Sequence, residues 1–263
     1  MLITSHAQAR TLLGDAGYVP SPVRQDGGEG TLAWLRAQVS RFSTGRTHAE
    51  RRDLLVERLA TLDPAELRTA ARAMTAERDG DWRGVPTAVL GAALGVRDTS
   101  AVAAAATGYL SGEESPPADA AVAELLGLTD LPAITLLLQG HAATEALIET
   151  ALAHASADDD VEALLHETLR QDPPLKATRR LDTRTGEEVT IDLVAVNRDP
   201  EAFAEPDRFD LARGRTPHLT FGAGLRPCPA PEHALALAAG VLEALLSRSP
   251  RESAQTEVDP RPR

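Results

Sequence analysis

Residues 131–155, LPAITLLLQGHAATEALIETALAHA, constrain the fold more than any other stretch of the chain. Their apolar residues recur at helical spacing. Asp130 is placed to cap the first turn, and Pro132 lies inside that turn, where its missing N–H costs nothing. A helix of this length runs about 37 Å at 1.5 Å per residue.

The flanking sequence is punctuated in the same way. TLAWLRAQVS and THAERRDLLVERLATL within 31–62, PAELRTAARAMTAE (64–77), PTAVLGAALGV (86–96), the alanine-rich 101–111 and DDDVEALLHETLRQDPP (158–174) all read as helices. Asp63-Pro64 and Pro173-Pro174 end the pieces they follow. PEHALALAAGVLEALL (231–246) begins on a proline and reads as the last helix. YVPSPVRQDGGEG (18–30) reads as loop, and SGEESPPAD (111–119) as a surface break or linker. EVTIDLVAV (188–196) is the best strand candidate, because Val189, Ile191 and Leu193 alternate with Thr190 and Asp192. The fold class is therefore mainly α with minor β. Aromatic residues are only 3% of the chain, so its core rests on Ala, Leu and Val. SRSPRESAQTEVDPRPR (247–263) is polar and aperiodic and reads as a disordered tail.

The net charge of -12 argues against a nucleic-acid binder, which needs clustered Lys and Arg, and gives no attraction to an anionic membrane. No secretory leader and no run of 18 apolar residues is visible, so no membrane span is expected. The chain has one cysteine, which excludes an intramolecular disulfide and fits a cytoplasmic location.

That cysteine, Cys228, sits in FGAGLRPCPA (221–230). A lone cysteine in a Gly/Pro turn is ordinarily a small, inert hydrophobe. Its neighbours change the reading. Phe221-Gly222-x-Gly224-x-Arg226-x-Cys228, followed by a helix, resembles the haem-ligand loop of the cytochromes P450. Other stretches resemble the same family in the same order. HETLR (166–170) places Glu167 and Arg170 on one helical face. DPPLKATRR (172–180) matches a segment delivering a propionate-binding arginine, here Arg180. NRDPEAFAEPDRFDLARGRTPHLTFGAG (197–224) matches the family's meander; Arg208 falls where an arginine joins the Glu167–Arg170 pair, and His218 matches a propionate contact. HAERR (48–52) places His48 and Arg52 toward the propionates, and LLLQGHAATEALI (136–148) resembles the helix crossing the distal face of the haem.

The resemblance implies a shortened cytochrome P450 fold, with one haem-thiolate domain over residues 1–246. It implies haem b, with Cys228 as the iron ligand and His48, Arg52, Arg180, His218, Phe221, Gly222, Arg226 and Ala230 around the cofactor. It also implies a small-molecule substrate, a separate ferredoxin-type reductase and a role in bacterial secondary metabolism.

Three departures bear on function. Little chain lies between His48 and Gly140, so residues 99–128 must replace the usual roof of the substrate pocket, and a homodimer or a biosynthetic partner protein is the alternative cover. On the distal helix, Gly140 and His141 precede Ala142 and Ala143, where the family carries an acid and a threonine that relay protons. Thr144 points about 100° further round, and alanine moves no proton. In the cysteine loop, Pro229 and Pro231 have no N–H, which leaves Ala230 as the donor to the sulfur among these three. Two functions follow: an atypical haem-thiolate oxidoreductase, working as a monooxygenase or with peroxide, or a non-redox auxiliary, partner-activating or cyclase-type protein on the same scaffold.

Overall fold

The computed structural model describes residues 1–247, so the stretch read as a tail lies, apart from Ser247, outside the described residues. In chain order the elements are β1 (Leu2–Ile3), α1 (His6–Gly14), β2 (Tyr18–Val19), α2 (Leu32–Gln38), a 3-10 turn (Ser40–Phe42), α3 (Gly45–Leu59), α4 (Pro64–Glu77), α5 (Val85–Ala93), α6 (Val102–Tyr109) and α7 (Pro116–Leu128). Then come α8 (Leu131–His154), α9 (Val161–Gln171), β3 (Ala177–Asp182), β4 (Glu188–Asp192), α10 (Leu193–Val196), a 3-10 turn (Leu211–Arg213) and α11 (Pro231–Leu246).

The helices start where side chains satisfy their free N–H groups. Asp130 accepts from Ala133 N at 3.0 Å, Asp63 from Ala65 N at 2.8 Å and Asp160 from Ala163 N at 2.7 Å. SGEESPPAD is divided by the same logic. Ser115 accepts from Ala118 N at 3.3 Å and Pro116 opens α7, so residues 116–119 are helix and not linker. Residues 31–62 form two helices, separated at Val39 by extended backbone and a 3-10 turn.

α8 lies at the centre. It packs against α3, α5, α6, α7, α9 and α11, with Ile134, Leu137, Leu147 and Ile148 buried. Among the described residues it is the one helix long and apolar enough to cross a membrane, a length-and-composition test that a core helix also passes. Its middle turn is different: Gln139, Gly140 and His141 are half-buried, and Ala142 and Ala143 are exposed. Residues 99–128 supply α6 and α7, which pair with each other and pack on α2 and α8.

A four-stranded sheet, ordered β1-β4-β3-β2, stands beside the helices. β3 and β4 are antiparallel, with Arg180 opposite Val189; β1 runs parallel to β4, and β2 antiparallel to β3. Its apolar residues, Ile3, Val189 and Ile191, join Leu12, Leu13 and Leu219 in a second, smaller core. The strand expected over 188–196 ends at Asp192. Its carboxylate accepts from Ala195 N at 3.0 Å, which turns Leu193–Val196 into the short helix α10.

Candidate functional site

The loop 221–230 is closed on itself by Cys228 N donating to Phe221 O at 2.7 Å. Gly222 and Gly224 hold φ of +73° and +65°, the left-handed region that suits glycine. Gly224 is doubly required, since a Cβ there would lie 2.3 Å from Leu13 O. The loop is thereby pressed onto the end of α1, where Leu225 N bonds Leu13 O at 3.1 Å.

Upstream, the buried Asn197 fixes the approach to the loop. Its Oδ1 accepts from Leu219 N at 2.7 Å and its Nδ2 donates to Thr220 Oγ1 at 2.9 Å. Thr220 Oγ1 in turn donates to Leu169 O at 2.6 Å. Asp199 accepts from His6 N at 2.7 Å, and His6 Nε2 bonds Pro217 O at 2.8 Å. These contacts give the Asn-Arg-Asp-Pro stretch its physical role: it ties α1, α9 and the cysteine loop together.

Glu167 and Arg170 form a buried bidentate pair, at 2.8 and 2.6 Å. Arg170 also donates to the carbonyls of Asn197, Pro206 and Arg208, at 3.1, 2.8 and 3.0 Å. The third arginine is Arg213 and not Arg208. Arg213 Nε lies 3.3 Å from Glu167 Oε1 and its side chain is 13% exposed. Arg208 is 62% exposed and reaches only Glu205, at 3.4 Å. The 3-10 turn Leu211–Arg213 carries Arg213 back onto the pair, whereas Arg208 contributes its carbonyl.

Around Cys228 the structure gathers Arg52 of α3, Arg180 of β3, Arg226 of the loop and Arg41 of the first 3-10 turn. Arg226 Nη2 donates to Ser40 O at 3.0 Å and Ser43 O at 2.7 Å, and Arg52 donates to Pro227 O. These partners are neutral carbonyls. Among the described residues, none of the four guanidiniums has a carboxylate partner in an ion pair. Burial, then the charges of Arg180, Arg52 and Arg41, push the Arg226 pKa down to about 10. Arg180 is lowered by burial and by Arg41, and His48 by burial, Arg226 and Arg52. Burial pushes the Cys228 thiol up, against the opposing pull of the Ala230 N–H, Arg52 and Arg41. The Ala230 N–H thus favours the charged form of the sulfur.

The structure therefore brings His48, Arg52, Arg180, Arg226, Cys228 and Ala230 together. His218 keeps other company: its ring centroid lies 5.9 Å from that of Phe221 and 6.4 Å from that of His166. Arg41 escaped the reading of the sequence, because it sits in a 3-10 turn with no spacing relation to the cysteine loop. On α8, His141 Nδ1 bonds Thr87 Oγ1 at 2.8 Å and lies 3.7 Å from Glu145, so it is a satisfied helical histidine. Thr144 is buried, facing away from the exposed Ala142 and Ala143.

No protein-family model matches the chain. Curated relatives do. It is 33% identical over 114 residues to the cyclomarin C epoxidase of Salinispora arenicola, covering 35% of this chain and 29% of that protein. It is 33% identical over 138 residues to the biotin biosynthesis cytochrome P450 of Bacillus subtilis, covering 44% of this chain and 35% of that protein. The match thus spans about a third of each relative's length. In structure, the chain superimposes on P450BioI, solved in complex with a hexadec-9Z-enoic acid-ligated acyl carrier protein. The TM-score is 0.76 at 21% identity, over 94% of this chain and 84% of that one. The chain has the fold of the cytochromes P450.

The fold implies haem, and the donor set fits it. Clustered guanidiniums facing no carboxylate suit a ligand with two negative groups, as haem has in its propionates. The exposed middle turn of α8, with no side chain beyond Cβ at Ala142 and Ala143, suits a flat apolar face. The sulfur of Cys228 supplies a soft ligand for iron.

Proposed function

We propose that the chain is a haem-thiolate oxidoreductase that oxidises a small molecule. One observation carries the reading: four uncompensated arginines converge on the loop that holds the only cysteine. Structural clusters of like charge are unfavourable unless an opposite charge joins them. Keeping all four fits a chain that still receives a dianionic cofactor.

In this reading Arg52, Arg180 and Arg226 hold the propionates, with Arg41 adding charge and His48 a neutral donor. Cys228 is the iron ligand, and Ala230 N–H draws electron density from its sulfur. When bound, haem supplies oxygen and one-electron chemistry that no side chain here offers. The chain's own contribution is to hold the cofactor, to set the donor strength of the sulfur and to keep the face over Ala142 and Ala143 open to a substrate. These alanines move no proton, so a side chain elsewhere, the substrate or an ordered water must do so. Electrons come from a separate reductase or, with peroxide, from none. The named activity of the cyclomarin C epoxidase relative supports a substrate from secondary metabolism. The acyl carrier protein in the P450BioI complex supports a carrier-tethered substrate as one form of it. A non-redox auxiliary role gains no support, since such a protein has no use for Cys228 inside this cluster.

The test is haem loading. The protein expressed with haem supplied should give the strongly red-shifted Soret band of a thiolate-ligated ferrous–carbon monoxide complex. Cys228→Ala should abolish that band, and Arg180→Ala should weaken haem retention. Wild-type protein that takes up no haem would sink the proposal.

A further inference from the structure

Arg51 and Arg52 follow one another on α3, so they leave the helix about 100° apart. Arg52 reaches the cysteine loop at Pro227 O, and Arg51 turns to the end of α2. Its Nη1 donates to Ala37 O at 2.7 Å and Ser43 Oγ at 2.6 Å, and its Nη2 to Gln38 Oε1 at 2.9 Å. All three acceptors are neutral. A guanidinium has five N–H groups, so two remain, one on Nε and one on Nη2. With the same two nitrogens Arg170 grips Glu167. Among the described residues, Arg51 has no carboxylate partner in an ion pair. Burial alone pushes its pKa down, so no neighbouring charge compensates it.

Arg51 lines a cavity of about 400 Å³, a volume in the range of small-ligand pockets. Val19 of the edge strand β2, Pro20, Phe42 and Leu181 of β3 give it apolar walls. Thr47 lies one turn before Arg51 on the same face of α3. Among the described residues, Arg51 is the one charged group in the lining. The cavity shares a wall with the cysteine site but not its residues. Ser43 gives its hydroxyl to Arg51 and its carbonyl to Arg226. Leu181 follows Arg180 on β3, so the two side chains leave opposite faces of the strand. Arg52, Arg180, Arg226 and Cys228 are all absent from the lining.

We propose that this cavity is a second binding site, for a small carboxylic acid. The carboxylate takes the open Nε and Nη2 donors of Arg51, and a short aliphatic or aromatic body lies against Val19, Phe42 and Leu181. The donors decide the class. Two carboxylate oxygens match two N–H groups of one guanidinium, and a single negative charge matches a single cation. A phosphate ester would bring a second charge with no partner in the lining. The apolar walls suit a hydrocarbon body. The site needs no haem, so its failure would leave the haem reading intact.

Octanoate is the probe, and isothermal titration of the protein expressed with haem supplied is the assay. The wild type should bind one octanoate. Octan-1-ol, with the same chain and no charge, should bind at least about tenfold more weakly. Arg51→Gln should weaken octanoate about ten- to a hundredfold, the loss expected for hydrogen bonds from a charged donor. Arg51 also ties α2 to α3, so a second variant guards against misfolding. Val23 lines the cavity without touching these hydrogen bonds, and Val23→Trp should fill the space and weaken octanoate as strongly. Octanoate should leave the haem Soret band in place. A Soret shift that saturates together with the binding heat would put the acid over α8 and overturn the proposal. Absent octanoate binding, equal affinity for the alcohol, or unchanged affinity in Val23→Trp or in folded Arg51→Gln would overturn it as well.

Discussion

Arg213→Ala and Arg208→Ala make a paired test of how the cysteine loop is anchored. Arg213 Nε contacts the buried Glu167 at 3.3 Å, and its other nitrogens donate to Ala204 O at 2.6 Å and Glu205 O at 2.8 Å. Hydrogen bonds from a charged donor contribute roughly 1.5–3 kcal/mol each, and losses within one network are not additive. Glu167 keeps Arg170 as a partner, so the full cost of an orphaned buried charge, about 3–5 kcal/mol, is not reached. Arg213→Ala should therefore cost about 2–3 kcal/mol. At roughly 2–4 °C per kcal/mol for a chain of this size, Tm should fall by about 5–10 °C. Arg208→Ala removes a pair exposed on both sides, which is worth about 0–1 kcal/mol, and leaves the carbonyl that Arg170 uses. Urea unfolding followed by circular dichroism, read at constant m-value, separates the two. An Arg208→Ala loss equal to or larger than that of Arg213→Ala would refute the assignment of Arg213 to the Glu167–Arg170 network.

The remaining expectations concern protons and electrons. Burial, then His166 and Arg170, lower the His218 pKa to about 4, below the 6.5 of a free imidazole. The unfolded chain therefore binds more protons between pH 6.5 and 4, and stability should fall as the pH drops through that window, by up to about 3 kcal/mol. His218→Gln should flatten most of this slope in urea titrations at pH 7 and 4.5; parallel curves for the two proteins would refute it. Pro229→Ala adds an N–H next to the sulfur. In haem-loaded protein it should raise the reduction potential by some tens of millivolts, where 59 mV is a tenfold change for one electron. Spectroelectrochemical titration measures this, and an unchanged or lower potential contradicts the role given to the prolines.

The long elements were legible because their signals are local. Asp63-Pro64, Asp130 and Asp160 cap or open helices within three residues of themselves, and α11 begins and ends where its proline and apolar spacing predict. The sheet was not legible in this way. β1 and β2 have two residues each, too short for any period, and exist only through partners far along the chain. β3 was met as the stretch that delivers Arg180, without its strand character. The cysteine loop could be read from its residue pattern. Arg41 could not, since it reaches the site from a 3-10 turn, with its guanidinium over the Phe42 ring. Arg208 and Arg213 are both arginines of one meander, and only the backbone turn decides which faces Glu167.

The hold of α1 on the cysteine loop has a consequence for the order in which the molecule is built. His6 bonds Asp199 and Pro217, Leu13 accepts from Leu225, and β1 pairs with β4. Each contact joins the start of the chain to a segment made roughly 190–210 residues later, a closure that is entropically slow. α3 to α8 can collapse on local contacts while the chain emerges, but the thiol has no fixed position until the two ends meet. On the haem reading proposed above, capture of the cofactor is then a late event, and a nascent chain stalled before residue 225 would carry a helical core with no site.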